Sequence, residues 1–389
     1  MIRVAIAGTG TIAGSHARAL AAIPSAELVA AMDTDDGRLG AFGHKYDVPR
    51  GYRGLGDLLR HSEPDLVCVP PAAHYGVART CLEAGVSVLA EKPPVISLRE
   101  FDGLTRAQGL TADGTPVAPW FATVFQHRFG SGQRRLRSLA RSGLLGRPLL
   151  AVCHTAWFRD QSYFDVEWRG RWDTEGGGPT MGHGIHQMDM LLDVLGDWTE
   201  VSAIARRSAR VMDTEDLSLA HVTFASGAVA SVVNSVLSPR EESYLRFDFE
   251  HATVEVTHLY GYEDGDWRIT PAKGHEDTVR SAWNAALRGE PGGVGAAGHG
   301  TGSDGTGRDR TAGGGPVRSG HAGQLAQVIA ALEERRRPPV IPGEARRTMA
   351  LVAGIYASAF TRRPVTPDDL APDTPFYGAM NGGLTPRWA

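Results

Sequence analysis

The chain has 389 residues, 42% of them apolar and 22% charged, with a net charge of −4. That length holds two domains with ample core, and a pI near 6.4 leaves no basic footprint for nucleic acid. Cys68, Cys81 and Cys153 form neither a C-x-x-C nor an even framework, and no apolar run approaches the roughly 18 residues of a membrane span. The expectation is a cytoplasmic protein that meets neither nucleic acid nor membrane.

The opening MIRVAIAGTG reads as a strand rather than a leader. It begins a series of short, continuously apolar runs: Val4–Ala7, Leu28–Met32, Leu66–Val69 and Val86–Leu89. Such runs suit strands buried on both faces of a parallel sheet. Helical stretches lie between them, as at Ile12–Ile23 and Ala73–Ala84, and the alternation predicts a doubly wound α/β domain over residues 1–125.

Directly after the first strand comes Gly8-Thr9-Gly10-Thr11-Ile12-Ala13, a G-x-G-x-x-A turn opening the first helix. Gly8 permits the tight turn and Gly10 a close approach to a pyrophosphate. Ala13 lets helix pack on strand, and the helix N-terminus favours an anion. Asp33 ends the second strand, where a carboxylate accepts hydrogen bonds from ribose hydroxyls and repels a 2′-phosphate. The cofactor expected is NAD, with NADP kept open by Arg38 nearby; the alternative for Asp33 is a plain turn former.

Beyond residue 125 the pattern changes. Ala151–Phe158, Leu217–Phe224, Ala228–Leu237, Leu245–Phe249 and Thr253–Leu259 follow one another without long helices, and several alternate apolar with polar residues. These predict an α+β second domain, 126–370, around a large, mostly antiparallel open sheet. Helices are expected at Gly184–Leu195, Gln324–Arg337 and Glu344–Phe360, the last able to pack back on the first domain. Residues 289–316 hold 12 glycines and read as a disordered insertion, and 371–389 as a tail.

With the glycine motif, three further features resemble the Gfo/Idh/MocA oxidoreductases, which group glucose–fructose oxidoreductase with inositol dehydrogenases. They are Pro70-Pro71-Ala72-Ala73-His74, Glu91-Lys92-Pro93 at a strand end, and the run from Gly176-Gly177-Gly178 through His186 to Asp189. The resemblance implies a Rossmann domain followed by an open-sheet domain, a homodimer or homotetramer, and cofactor contacts at Gly8, Gly10, Thr11, Ile12, Ala13, Asp33, Pro70, His74, Glu91 and Lys92. It also gives Lys92 a catalytic role. Many members place an aspartate four residues before the histidine matched by His186, and that position is Gly182 here.

The chemistry is also argued from the residues. Oxidising a secondary alcohol removes a hydroxyl proton as hydride leaves carbon, so a base with a pKa near 7 and a nearby cation both help. Lys92 stands where open α/β sheets bind ligands, and a lysine, unlike an arginine, can shed its proton when desolvated. The chain contains 37 arginines and three lysines, Lys45, Lys92 and Lys273, so a lysine here has a reason. His186 is the second expected catalytic group. Without a carboxylate at position 182, His186 acts with Lys92 alone, or His183 or Asp189 substitutes, or the chemistry is not simple alcohol oxidation.

Arg128, in Gln126-His127-Arg128-Phe129, is read as a substrate ligand or a domain-interface ion pair. Trp168 and Arg169, among the aromatic residues of 157–172, are expected to line a sugar or cyclitol site together with His183 and His186. No pattern of metal ligands is present. The expected activity is hydride transfer between NAD(P) and a CH–OH group of a sugar, sugar derivative or cyclitol. The alternatives are an elimination or glycoside-cleaving enzyme working by transient oxidation, and a silent NAD-binding sensor or assembly protein.

Overall fold

The computed structural model describes residues 1–69, 74–110, 116–286 and 316–386. The short apolar strands of the first third join in the order β3-β2-β1-β4-β5-β8, every pair parallel. They are β1 (Ile2–Ala7), β2 (Ala26–Met32), β3 (Gly51–Tyr52), β4 (Leu66–Val69) and β5 (Ser87–Ala90). After the two-stranded pair β6 (Gly109–Leu110) and β7 (Pro116–Val117) comes β8 (Phe121–Thr123). Helices α1 (Ala13–Ala21), α2 (Asp36–Tyr46), α3 (Leu55–Ser62), α4 (His74–Glu83) and α5 (Leu98–Ala107) separate the strands. Every residue of β4 and β5 is buried, as continuous apolar runs require when both faces are covered. The strand order turns around between β1 and β4, which opens the ligand crevice of doubly wound sheets at their carboxyl ends.

The second sheet runs β10-β11-β12-β9-β13-β14-β15. Its strands are β9 (Pro148–Phe158), β10 (Trp198–Arg206), β11 (Leu217–Phe224), β12 (Val229–Ser235), β13 (Leu237–Phe249), β14 (Ala252–His258) and β15 (Trp267–Pro271). All neighbours are antiparallel except β12 and β9. Along β11, Ala220, Val222 and Phe224 are buried while His221 and Thr223 face outward, the alternation of a sheet covered on one side. The run expected at 245–249 is the end of the longer β13.

Eight helices of this half are described: α6 (Ser131–Arg141), α7 (Gln161–Phe164), α8 (Pro179–Gly182), α9 (Ile185–Leu195), α10 (Glu276–Ala285), α11 (His321–Glu333), α12 (Pro342–Thr361) and α13 (Pro375–Gly378). Two differ in placement from what periodicity suggests. In helix α9 the buried residues are not confined to one stripe. Nine of its residues from Ile185 to Asp193 are buried, because β9, α6 and α12 enclose it. Helix α11 lies late in the chain yet packs on α1, where Leu325, Val328 and Ile329 share a core with Ala13, Ala17 and Leu20. Gln324 stitches it to the first sheet, donating to Thr123 O (2.7 Å) and accepting from Phe125 N (2.9 Å).

Helix α12 touches α5 and β8 on one side and β10 and α9 on the other, and Arg346 of α12 bonds Asp102 of α5 at 2.6 Å. The expected disordered insertion falls, up to residue 315, outside the described residues, as does Pro70. Among the described residues no helix is long and apolar enough to cross a membrane.

Candidate active site

A cleft of about 1200 Å³ opens at the carboxyl ends of the parallel strands. Its floor comes from the turns after β1 and β5, and its walls from the chain between β9 and α9.

At the first turn, Gly8 has φ 125°, a conformation that a side chain strains, and its N–H bonds Met32 O at 2.7 Å. A Cβ at Gly10 would meet nothing within 4 Å, so the backbone there is open to a ligand. Helix α1 begins with no capping side chain and no acidic residue in its first turn, leaving its N–H groups for an anion. Ala13 is fully buried against the sheet.

Asp33 reaches back to this turn. It accepts from Thr9 N (2.9 Å), Thr9 Oγ1 (2.8 Å), Asp35 N (3.0 Å) and Arg38 Nη2 (2.9 Å). Burial raises its pKa, but Arg38 and the N–H donors outweigh that and hold the carboxyl well below the usual range. Arg38, about half exposed, stands where a 2′-phosphate would approach this carboxylate. The uncapped helix, the open glycine and the strand-end carboxylate fit a dinucleotide.

Glu91 and Lys92 follow β5. The Glu91 carboxylate is buried beneath the cleft and accepts from His16 Nε2 (2.9 Å) and His321 Nε2 (2.7 Å) at one oxygen and from Lys92 N (3.2 Å) at the other. Burial works against its charge; the two imidazoles overcome this and hold it well below the normal carboxylate range. Among the described residues, these three side chains form the one group with metal-ligand spacing. The hydrogen bonds to one shared oxygen account for that spacing.

Lys92 donates from Nζ to Gly182 O at 2.7 Å. Desolvation pushes its ammonium down to about 8; Glu91 and Glu175 oppose the shift, while Arg169 and Arg159 assist it.

The two histidines of the glycine-rich run are placed differently. His183 lines the cleft, its ring edge-on to Trp157 with centroids 5.1 Å apart. His186, expected on the substrate side, is 1% exposed and sits outside the lining, edge-on to His127 (5.0 Å) and Tyr260 (5.7 Å). Neither of its ring nitrogens has a partner among the described residues. Burial, then Lys92, keeps both imidazoles neutral, well below the usual histidine value.

Arg128 lies in a buried ion-pair cluster, away from the cleft lining. Its fork meets Asp189 through two bonds of 2.6 Å, with Glu344 at 3.2 Å, and it is 3% exposed and absent from the cleft lining. Asp189 is thereby paired with Arg128 and, like it, is absent from the cleft lining. Trp168 and Arg169 do face the cleft, the guanidinium stacked 4.2 Å over Trp168 and 3.9 Å over Tyr163. Helix α4 starts at His74, whose side chain, like Pro70, lies outside what is described.

Sequence reasoning did not single out His16, Glu175, Glu215 or His321. Buried Glu215 accepts from Gly178 N (3.1 Å), Thr180 N (3.1 Å) and Tyr356 Oη (2.9 Å), which fixes the glycine loop. Burial pushes its carboxyl up to about 7 despite these donors. A Cβ on Gly178 would run into Glu215 and one on Gly184 into Asn234, whereas one on Gly182 would meet nothing within 4 Å. Glu175 had a local signal, being the residue just before the triple glycine. His321 had none, since 230 positions separate it from Glu91.

Comparison with known proteins agrees with this geometry. The NAD-binding Rossmann-fold model of an oxidoreductase family, Gfo/Idh/MocA, matches residues 2–108, and that family's C-terminal domain model matches 133–257. The D-glucoside 3-dehydrogenase of Escherichia coli (strain K12) is 26% identical over 290 residues, 68% of this chain and 80% of that protein. The D-apiose dehydrogenase of Paraburkholderia graminis is 27% identical over 263 residues, 65% of this chain and 64% of that protein. The WlbA dehydrogenase of Bordetella pertussis, solved with NADH and UDP-GlcNAcA, superposes with a TM-score of 0.74 over 94% of this chain and 97% of that one, at 23% identity.

Proposed function

Because this chain belongs to the Gfo/Idh/MocA family of NAD-binding oxidoreductases, we propose that it transfers hydride between NAD and a secondary CH–OH group of a sugar, sugar derivative or cyclitol. The observation that carries this is Lys92, a buried ammonium pushed down to about 8 at the end of β5, inside a cleft with aromatic walls. Relatives named for glucosides, apiose and inositol support the substrate class. NAD would be held by the turn Gly8–Ala13, by Asp33 and by the strand end at Glu91. When bound it supplies the hydride acceptor.

The chain's own residues handle the proton. In its neutral form Lys92 takes the hydroxyl proton at Nζ as the C–O bond becomes a carbonyl; in its charged form it donates to that oxygen, which serves the reverse direction. His183, neutral and on the wall, accepts from or donates to a neighbouring hydroxyl. His186 supplies a buried neutral imidazole near Lys92, outside the cleft lining, and neither of its ring nitrogens has a partner among the described residues. Trp168 offers an apolar face to sugar C–H groups, and Arg169 offers donors to its oxygens. We take residues 1–125 as the cofactor domain and 126–370 as the substrate domain, with α11 and α12 bridging them. The outward side of the open sheet, with Ile204, Leu219 and Val229 exposed, is read as the face through which a homodimer or homotetramer forms. Three buried free cysteines support a cytoplasmic setting.

The test is NAD reduction on a panel of glycosides, aldoses and inositols. Turnover lost in Lys92→Ala by 10²-fold or more, about what a positioned base contributes, with NAD still bound, supports the reading. Retained turnover in Lys92→Ala refutes it. A protein that binds NAD tightly and turns over nothing on the panel is the sensor instead.

A further inference from the structure

Glu175 is among the acidic side chains of the cleft that have no task in this mechanism. Glu175 lines the same cavity as Lys92, Gly182 and His183 and keeps 16% of its side-chain surface exposed. Its Oε2 accepts from Gly170 N (2.5 Å) and its Oε1 from Arg169 Nη1 (3.3 Å). A carboxylate has about four lone-pair positions, and these two donors take up two of them. Arg169 is itself held by stacking between Tyr163 and Trp168, which gives Glu175 a rigid support. Position 182, by contrast, has no side chain, and the space its Cβ would enter is open. Lys92 spends one of its three donors on the Gly182 carbonyl.

We propose that Glu175 is the anionic partner of Lys92, supplying from the loop ahead of the triple glycine the carboxylate that position 182 lacks, with a substrate hydroxyl held between the two groups. This rests on the reading of Lys92 as the proton acceptor. The charged and titratable groups around Lys92 are Glu91 beside it, Arg159 at the end of β9, Arg169 and Glu175 in the following loop, His183 and His186 around α9, and His127 after β8. Glu91 is committed to His16 and His321, and Arg159 pairs with Glu241 at 3.0 Å. That leaves Glu175 as the carboxylate that acts on Lys92 from the cleft side. Burial raises the Glu175 carboxyl while Gly170, Arg169 and Lys92 oppose it, so each of the two charges stabilises the other.

The three-lysine composition makes the test direct. Protein labelled with ¹³C-lysine and saturated with NAD gives three side-chain signals, and Lys92→Arg assigns one of them. Losing an opposite charge at close range moves a pKa by about one unit, so Glu175→Gln is expected to lower the Lys92 midpoint by that amount. Glu175→Asp keeps it near the wild-type value, and Gly182→Asp in the Glu175→Gln background raises it again. With a sugar that turns over, the acid limb of kcat/KM moves to lower pH in Glu175→Gln and KM rises, while the NAD Kd from fluorescence titration stays the same. An unchanged Lys92 midpoint in Glu175→Gln overturns the proposal. A wild-type Lys92 that titrates near 10.5, its ordinary value, overturns instead the reading on which it rests.

Discussion

Replacing Arg128 with leucine tests whether it serves a buried ion-pair cluster of the second domain or holds substrate. The substitution removes the guanidinium from Asp189, to which it makes two bonds of 2.6 Å, and from Asp193 and Glu344. Asp193 keeps Arg137 (3.3 Å) and Gln133 (3.1 Å), and Glu344 is 29% exposed to water. Among the described residues Asp189 keeps only the Thr348 hydroxyl at 3.0 Å, in a site where its side chain is 1% exposed. Breaking a buried pair from one side costs about 3–5 kcal/mol, because the remaining charge is left without its partner. With a urea slope of about 3 kcal/mol per M, the unfolding midpoint falls by about 1–1.7 M, read by circular dichroism. Replacing both partners, as Arg128→Leu with Asp189→Leu, recovers most of that loss.

The pH dependence has a definite sign. Burial already raises Asp189 above its ordinary 3.8, with Arg128 opposing, so removing Arg128 raises it further. A carboxyl raised in the folded state contributes most below its unfolded pKa and loses that contribution as pH rises towards the folded value. The Arg128→Leu deficit is therefore smallest near pH 4, by the ordinary carboxyl value, and grows towards neutrality. Substrate KM stays the same for the folded protein. An unchanged midpoint together with a KM raised about tenfold, the loss of one charged hydrogen bond, would refute the reasoning and return Arg128 to the substrate site.

Four further substitutions probe other parts of the molecule. Arg38→Ala removes the cation beside Asp33, and the ratio of NADP to NAD affinity is expected to fall about tenfold, one charged hydrogen bond's worth; equal Kd values before and after, by fluorescence titration, contradict this. Glu215→Gln removes a carboxyl that titrates at about 7 folded against 4.5 unfolded. Wild-type stability should decline between those two pH values, by an amount on the order of 3 kcal/mol, and the variant's profile should be flatter; parallel profiles would show that Glu215 does not titrate there. Gly184→Ala drives a Cβ into Asn234 and is expected to lower the melting temperature, whereas Gly182→Ala enters open space and leaves it nearly unchanged. A reversed order of the two melting temperatures would contradict that packing.

The amino-acid order by itself determined the two architectures. Strands such as Leu66–Val69 and Ser87–Ala90 are apolar at nearly every position, which only a sheet covered on both faces tolerates, and β11 alternates as a half-covered sheet must. It also determined the glycine turn and Lys92, because local geometry and a strand end specify both within a few residues. What it did not determine are the pairings that close over long loops. Glu91 meets His16 and His321, Arg128 meets Asp189, and Glu215 clamps Gly178, each across 37 to 230 positions. Which of the two histidines, His183 or His186, faces the cleft was likewise a tertiary decision. A helical period predicts that one face is buried, but α9 is enclosed by β9, α6 and α12, which keeps His186 out of the cleft, while His183, ahead of the helix, lies on the wall. Periodicity records how many neighbours an element expects, and only the assembled neighbours decide which side chain is left for a ligand.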